Sequence, residues 1–289
     1  MFKFKKKSVE QKVKEPAYFI SATNIQTTNY KVYYMTSKEK VFYFVLAFVV
    51  GAVVGYLFYG GIGTDEFGQP TAITYILNVL ISSIVGFVAG YMFIPMRRQQ
   101  IIDKRQRELK HQFRDMLEAL STSLGAGKNV NDSFLAVYED LKVQYEEDSD
   151  ILKELEVIIA GMNNNIDIED TLMDFGIRSG IEDIESFANV FKICYRKGGN
   201  IKDTIRNTHE ILSDKMEITE DIETIVTSSK NEQNIMIIMP LILVGMMKMM
   251  GEDFAKNFVT PTGLVSTTIA IVLFVVAYIV GKKVLEIKI

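Results

Sequence analysis

Residues 41 to 59 read VFYFVLAFVVGAVVGYLFY, nineteen positions without one Asp, Glu, Lys or Arg. At about 1.5 Å per residue a helix of this length crosses a hydrocarbon core of roughly 30 Å. Three more blocks behave alike: 72 to 94 (AITYILNVLISSIVGFVAGYMFI), 235 to 251 (IMIIMPLILVGMMKMMG) and 264 to 281 (LVSTTIAIVLFVVAYIVG). The third holds Pro240 and Lys248. Lys248 lies near its far end, where a long side chain can snorkel to the interface, and Pro240 is tolerated when neighbouring helices satisfy the freed carbonyl. A chain that is 24% charged with a mean hydropathy of +0.14 is therefore one whose apolar residues are segregated. With abundant apolar residues, five Pro and one Cys, disorder, a collagen repeat and an internal disulfide scaffold are excluded.

Lys and Arg are distributed unevenly about these blocks. The first forty residues carry nine Lys, including Lys3, Lys5, Lys6, Lys7, Lys38 and Lys40, and Arg97, Arg98, Lys104, Arg105 and Arg107 follow the second block. The loop between the first two blocks offers only Asp65 and Glu66; the loop between the last two has Lys256 against Glu252 and Asp253, and Lys282 and Lys283 follow the fourth. The positive-inside rule then predicts both termini and the long central segment inside and two short loops outside. Small residues recur at every fourth position, as Ala47, Gly51, Gly55 and as Ser82, Gly86, Gly90, a spacing that lets two membrane helices pack closely. The Lys-rich start leads into polar sequence, so the first span reads as a retained helix and not a cleaved signal.

Between the membrane pairs the apolar residues fall at helical spacing. Leu109, Phe113, Met116, Leu117, Leu120 and Leu124 predict a helix that continues from the second span and stops at Gly125 and Gly127. Val130 to Leu141, Ile151 to Met162, about Ile168 to Arg178 and Ile184 to Cys194 predict four more, and a long helix from Ile201 feeds the third span. The fold class expected is all-α, a polytopic membrane protein with four transmembrane helices and a cytoplasmic six-helix bundle. Its divisions are a basic N-terminal tail (1–40), a first helix pair (41–94), the bundle (95–234), a second helix pair (235–281) and a C-terminal tail (282–289).

Three of these helices open on one pattern: NVNDSF (129–134), DIEDTL (167–172) and NIKDTI (200–205). Asn129, Asp167 and Asn200 are expected as N-caps, with Asp132, Asp170 and Asp203 facing the positive end of each helix dipole. Gly198 and Gly199 read as a helix stop.

Chemistry-bearing patterns are sparse. Gly125 to Lys128 fails the phosphate-loop pattern, with Asn129 where Ser or Thr is needed and Thr122 where the first Gly belongs. The run from Glu146 to Asp150 lacks the alternating ligands and Gly of a calcium loop and reads as a solvated loop ending in a Ser149 or Asp150 cap. His111, His209 and Cys194 have no second ligand or base at a useful spacing. No catalytic, cofactor-binding or metal site is expected, and the chain does not read as an enzyme.

Residues 97–114 sum to +5 and 115–234 to −15, a basic collar suited to anionic headgroups followed by an acidic body that argues against nucleic acid and suits a basic protein partner.

The stretch FRDMLEALSTSLGAGKNVNDSF (113–134), with IDIEDTL (166–172) and RKGGNIKDTI (196–205), resembles the type II secretion system F-domain family, most of all its tight-adherence pilus platform proteins B and C. Gly125 to Phe134 and Gly198 to Ile201 match that family's helix end, helix start and late glycine turn, with Phe134 and Ile205 standing where Leu is usual. The similarity covers roughly residues 110 to 250, in one copy. It implies an integral platform in the bacterial inner or plasma membrane, acting with a second platform subunit or with itself, on which a hexameric cytoplasmic ATPase works to move pilin-like subunits from the lipid bilayer into a filament. The other reading is a small transporter or channel with a regulatory domain, built on Asn78, Ser82, Ser83, Thr267, Thr268 and Lys248.

Overall fold

A computed structural model describes residues 15–21, 25–63, 65, 69–250 and 257–285. Lys3, Lys5, Lys6, Lys7, Glu66, Glu252, Asp253, Lys256, the side chain of Lys282 and residues 286–289 of the expected C-terminal tail lie outside the described residues. The chain is about 81% helical and nearly all-α, and four of its helices are long and apolar enough to cross a membrane. The described helices are α1 (Ser37–Tyr59), α2 (Ala72–Gly125), α3 (Val130–Gln144), α4 (Asp150–Asn163), α5 (Ile168–Ser179), α6 (Glu182–Lys197), α7 (Ile201–Met249) and α8 (Pro261–Leu285). Two of them run through the boundaries that composition suggests. α2 continues without a break from the second apolar block to Gly125, through Pro95, and α7 runs from Ile201 into the third block, through Pro240.

The chain divides into two compact units, and the division falls within α2 and within α7. Among the described residues, one combines those up to Tyr34 with Gln100–Ser213, and the other combines those from Met35 to Gln99 with those from Asp214 onward. In the first, each amphipathic stripe contributes fully buried side chains: Leu109, Phe113, Met116, Leu117 and Leu120 from α2, Phe134 and Val137 from α3, Ile151, Leu152 and Leu155 from α4, and Phe175, Phe187 and Phe191 from α5 and α6. The Phe113 ring meets Phe187 at 5.4 Å and Phe175 at 6.1 Å between centroids, both edge-to-face, the arrangement that ring quadrupoles favour. Gly176 lets α5 and α6 touch through their backbones, since a Cβ there would stand 2.9 Å from Glu185 Cα.

This unit also contains structure that period and composition do not announce. Within the expected basic tail, β1 (Tyr18–Ile20) and β2 (Gln26–Thr28) form an antiparallel hairpin, with Tyr18 opposite Thr28 and Ile20 opposite Gln26. Three-residue strands are too short for alternation to register. What holds the segment is long-range: Tyr30, 1% exposed, sits in the helical core, and its N–H donates to the Arg178 carbonyl at 3.0 Å.

In the second unit α1 begins four residues before its charge-free run, where the Thr36 N–H donates to the Glu39 carboxylate at 2.8 Å, half of a capping box. Most large apolar side chains of α1, α7 and α8 here are exposed, including Val53, Leu243 and Leu273. That is the surface expected of helices solvated by lipid.

Candidate functional sites: a packed helix pair and a buried ion-pair network

The two small-residue stripes face one another. A Cβ added at Gly51 would stand 2.7 Å from Ala89 Cβ and 3.0 Å from Gly86 Cα, one at Gly86 would stand 2.7 Å from the Phe48 carbonyl oxygen, and one at Gly55 3.2 Å from Ser82 Cα. Gly90 leaves room for the Phe44 ring, which stacks edge-on with Phe87 at 5.6 Å. Ala47, Gly51 and Gly55 are the buried positions of α1, so α1 and α2 meet at backbone distance along one seam.

Four polar side chains of the apolar helices, Lys248, Asn78, Tyr59 and Thr268, connect neighbouring segments. Lys248 Nζ donates to the Gly60 carbonyl at 2.9 Å and lies over the Phe258 ring, Asn78 Oδ1 accepts from the Gly61 N–H at 2.9 Å, and the hydroxyls of Tyr59 and Thr268 are 3.1 Å apart. Lys248 thus ends on the backbone carbonyl of the residue that caps α1. Thr268 also donates to Leu264 O and Thr267 is 9% exposed, while Ser82 and Ser83 lie on α2.

The repeated opening pattern divides into two kinds. Asn129 Oδ1 accepts from the Asp132 N–H at 2.8 Å, Asn200 Oδ1 accepts from the Asp203 N–H at 3.2 Å, and each Asn amide also donates to the carboxylate of its own Asp. Asp167 occupies the same position at α5 but its side chain makes no cap bond. Instead Asp167 lies 3.8 Å from Arg196, Glu169 accepts from Arg196 at 2.9 Å and Asp170 accepts from Lys192 at 2.8 Å. The acids of the α5 first turn are drawn to the basic last turns of α6, where Lys192 holds the Asp170 carboxyl below its usual range.

The opening of α4 departs from its expected cap in a similar way. Ser149 holds the N-cap place with no cap bond, and Asp150 is taken by Arg105, whose Nε and Nη2 donate to its two oxygens at 2.8 and 2.5 Å. The free Ile151 N–H donates to Gln112 Oε1 of α2 at 3.1 Å. The helix is capped from across the core. Gly198 takes the left-handed conformation (φ 71°) and ends α6, and the Gly199 N–H donates to the Cys194 carbonyl at 2.8 Å.

No sequence pattern points to the most heavily bonded cluster. Arg178 and Glu154, each with 3% of its side chain exposed, form a bidentate pair at 2.8 and 2.6 Å. The Tyr30 hydroxyl donates to Glu154 Oε1 at 2.8 Å, Arg178 Nη1 also donates to the Thr28 carbonyl at 3.0 Å, and Arg178 Nε donates to Asp174 at 2.6 Å. The Arg105 guanidinium lies over the Tyr30 ring, 4.9 Å from its centroid. Burial, then the Glu154 charge, pushes the Tyr30 hydroxyl well above its usual pKa. Breaking one member of such a pair leaves a buried charge uncompensated, so the cluster acts as a clamp joining the hairpin to α4 and α5. Within it Arg178 and Glu154 are shut off from water, while Asp174 reaches the surface with 47% of its side chain exposed.

Among the described residues no group of three or more His, Cys, Asp and Glu stands close enough to hold a metal ion. His209 Nδ1 lies 3.3 Å from the Arg114 carbonyl, and Cys194 accepts a weak bond from the Thr204 hydroxyl at 3.4 Å. In the Glu146 to Asp150 run, Asp150 is committed to Arg105 and Glu147 lies 3.8 Å from Lys142.

No protein family, curated protein or solved structure matches this chain.

Proposed function

We propose that the chain is the integral membrane platform of a secretion or pilus-assembly machine, a non-enzymatic scaffold that couples a cytoplasmic hexameric ATPase to the extraction of pilin-like subunits from the bilayer. The observation that carries this reading is the pair of unbroken helices. α2 and α7 each join an apolar, membrane-length stretch to the acidic helical unit without an intervening loop, so a push on one part of either helix is transmitted along it. The resemblance of residues 110 to 250 to the F-domain family of secretion platforms supports the same reading. So does the charge order, with a basic collar after the second span and an acidic body beyond it.

In this reading four helices lie in a bacterial inner or plasma membrane, both termini and a six-helix bundle face the cytoplasm, and the acidic surface docks basic groups of the ATPase. The function needs no cofactor and no nucleic acid. A second platform subunit or a further copy of the chain completes the assembly. The test uses the full-length protein in nanodiscs with the secretion ATPase of the same organism. The two should co-elute, and ATP turnover should change on addition of the platform; absence of both co-elution and any change in turnover would overturn the proposal.

A further inference from the structure

Beyond Met216, which is 5% exposed, α7 leaves the buried core, and its next turns carry Glu217, Glu220, Asp221 and Glu223. Yet from the turn before Met216 onward the helix also presents isoleucines to solvent. Ile211 is 67% exposed, Ile218 56% and Ile225 74%, and Ile222 is half-buried. Scattered exposed apolar residues need no explanation. These are not scattered, for 211, 218, 222 and 225 fall at steps of seven, four and three, the seam of a coiled coil, with Lys215 at the remaining seam position. Lipid does not cover them, since Ile225 precedes the third apolar block at residue 235 by ten residues, about 15 Å of helix.

We propose that this face of α7 pairs with the same face of a second copy of the chain, as a parallel, in-register coiled coil over residues 211–226. Two features favour a second copy over another protein. Because the helix runs on into a membrane-length apolar stretch, every copy in a bilayer presents the seam in one direction and at one height, which imposes the parallel register that such a pair requires. The flanking charges suit only that direction. In a parallel pair Asp214 and Asp221 face Thr219 and Val226 of the other copy, whereas an antiparallel pair would set the aspartates against one another. A polar residue at a single seam position, here Lys215, disfavours slipped registers. The inference rests on the membrane reading given above and supplies the platform's self-contact.

The chain has one cysteine, Cys194, so a Cys194→Ser background allows single cysteines to be placed along α7 in the full-length protein reconstituted in liposomes. Oxidation should yield disulfide-linked dimer from Ile218→Cys, Ile222→Cys and Ile225→Cys. The opposite-face variants Glu217→Cys, Glu220→Cys and Thr224→Cys should yield about fivefold less, given the 3.5-residue periodicity of such a seam. Adding Ile222→Asp and Ile225→Asp to the Ile218→Cys protein should abolish its linkage. Equal linkage on both faces, or none at any position, would overturn the seam. Co-elution with the ATPase, measured on the same samples, separates that outcome from failure of the platform reading.

Discussion

At Tyr30 one hydroxyl joins segments 124 residues apart, and its chemistry predicts how the fold responds to alkali. The hydroxyl is held protonated in the folded chain by burial and by Glu154, whereas in the unfolded chain it ionises near pH 10. A group whose pKa is raised on folding contributes fully below its unfolded value and loses that contribution as pH rises past it. Stability should therefore fall above about pH 10, by up to about 1.4 kcal/mol per pH unit from this group. Tyr30→Phe removes a donor to a buried carboxylate and should cost about 1.5–3 kcal/mol at pH 7. It should also flatten the alkaline loss, so that wild-type and variant unfolding midpoints, followed from pH 7 to 11, converge above pH 10. Parallel curves would show that Tyr30 is not the group responsible.

Asn129, Asp167 and Asn200 share one local pattern, and local pattern places all three at helix starts. Only the two asparagines make the bond; at α5 all three acids of the opening, Asp167, Glu169 and Asp170, are paired instead with Arg196 and Lys192 of α6.

Between elements, the α1–α2 contact is the clearest case in which sequence spacing and three-dimensional geometry concern the same atoms. Every-fourth-residue glycines mark a flat stripe, and the distances from Gly51 to Gly86 and from Gly86 to Phe48 put the two stripes at van der Waals contact. Gly86→Leu must push the helices apart, and overpacking of this kind costs about 1–3 kcal/mol. The purified protein should lose several degrees in Tm, whereas Val79→Leu, at a position of the same helix that is 68% exposed, should leave Tm unchanged. Equal losses in both variants would mean that the stripe is not a packed contact. α2 and α7 also show why block boundaries read from composition are not element boundaries: a helix needs only continuous backbone hydrogen bonds, so it passes from apolar to charged sequence, and through Pro95 or Pro240, without ending.

For the whole molecule the decisive quantity is the arrangement of charge along the chain and not its net value of −4. With a +5 collar after the second span and −15 beyond it, the proposed orientation keeps the collar on the cytoplasmic side. Single cysteines at Asp65 and at Val143, which is 91% exposed, in the Cys194→Ser background report on this directly. In intact cells an impermeant maleimide should label Asp65→Cys, and Val143→Cys should react only after lysis. The reverse pattern would invert the orientation and remove the acidic unit from reach of a cytoplasmic ATPase.

Which stretches are helical, which four of them are long and apolar enough for a membrane, and that Leu109, Phe113, Met116, Leu117 and Leu120 mark the buried face of α2 were legible in the sequence. Each depends on periodicity or composition within one segment, and neighbours in the chain carry that signal. Packing between elements settled that the β1–β2 segment joins the helices through Tyr30, that Gln112 of α2 caps α4, that Asp167 and Asp170 turn to Arg196 and Lys192, and that Arg178 and Glu154 share a buried pair. In each of these the partners lie on different elements. A buried hydrogen bond or ion pair depends on which side chains the packed helices bring within about 3 Å of one another, and no local pattern records that proximity.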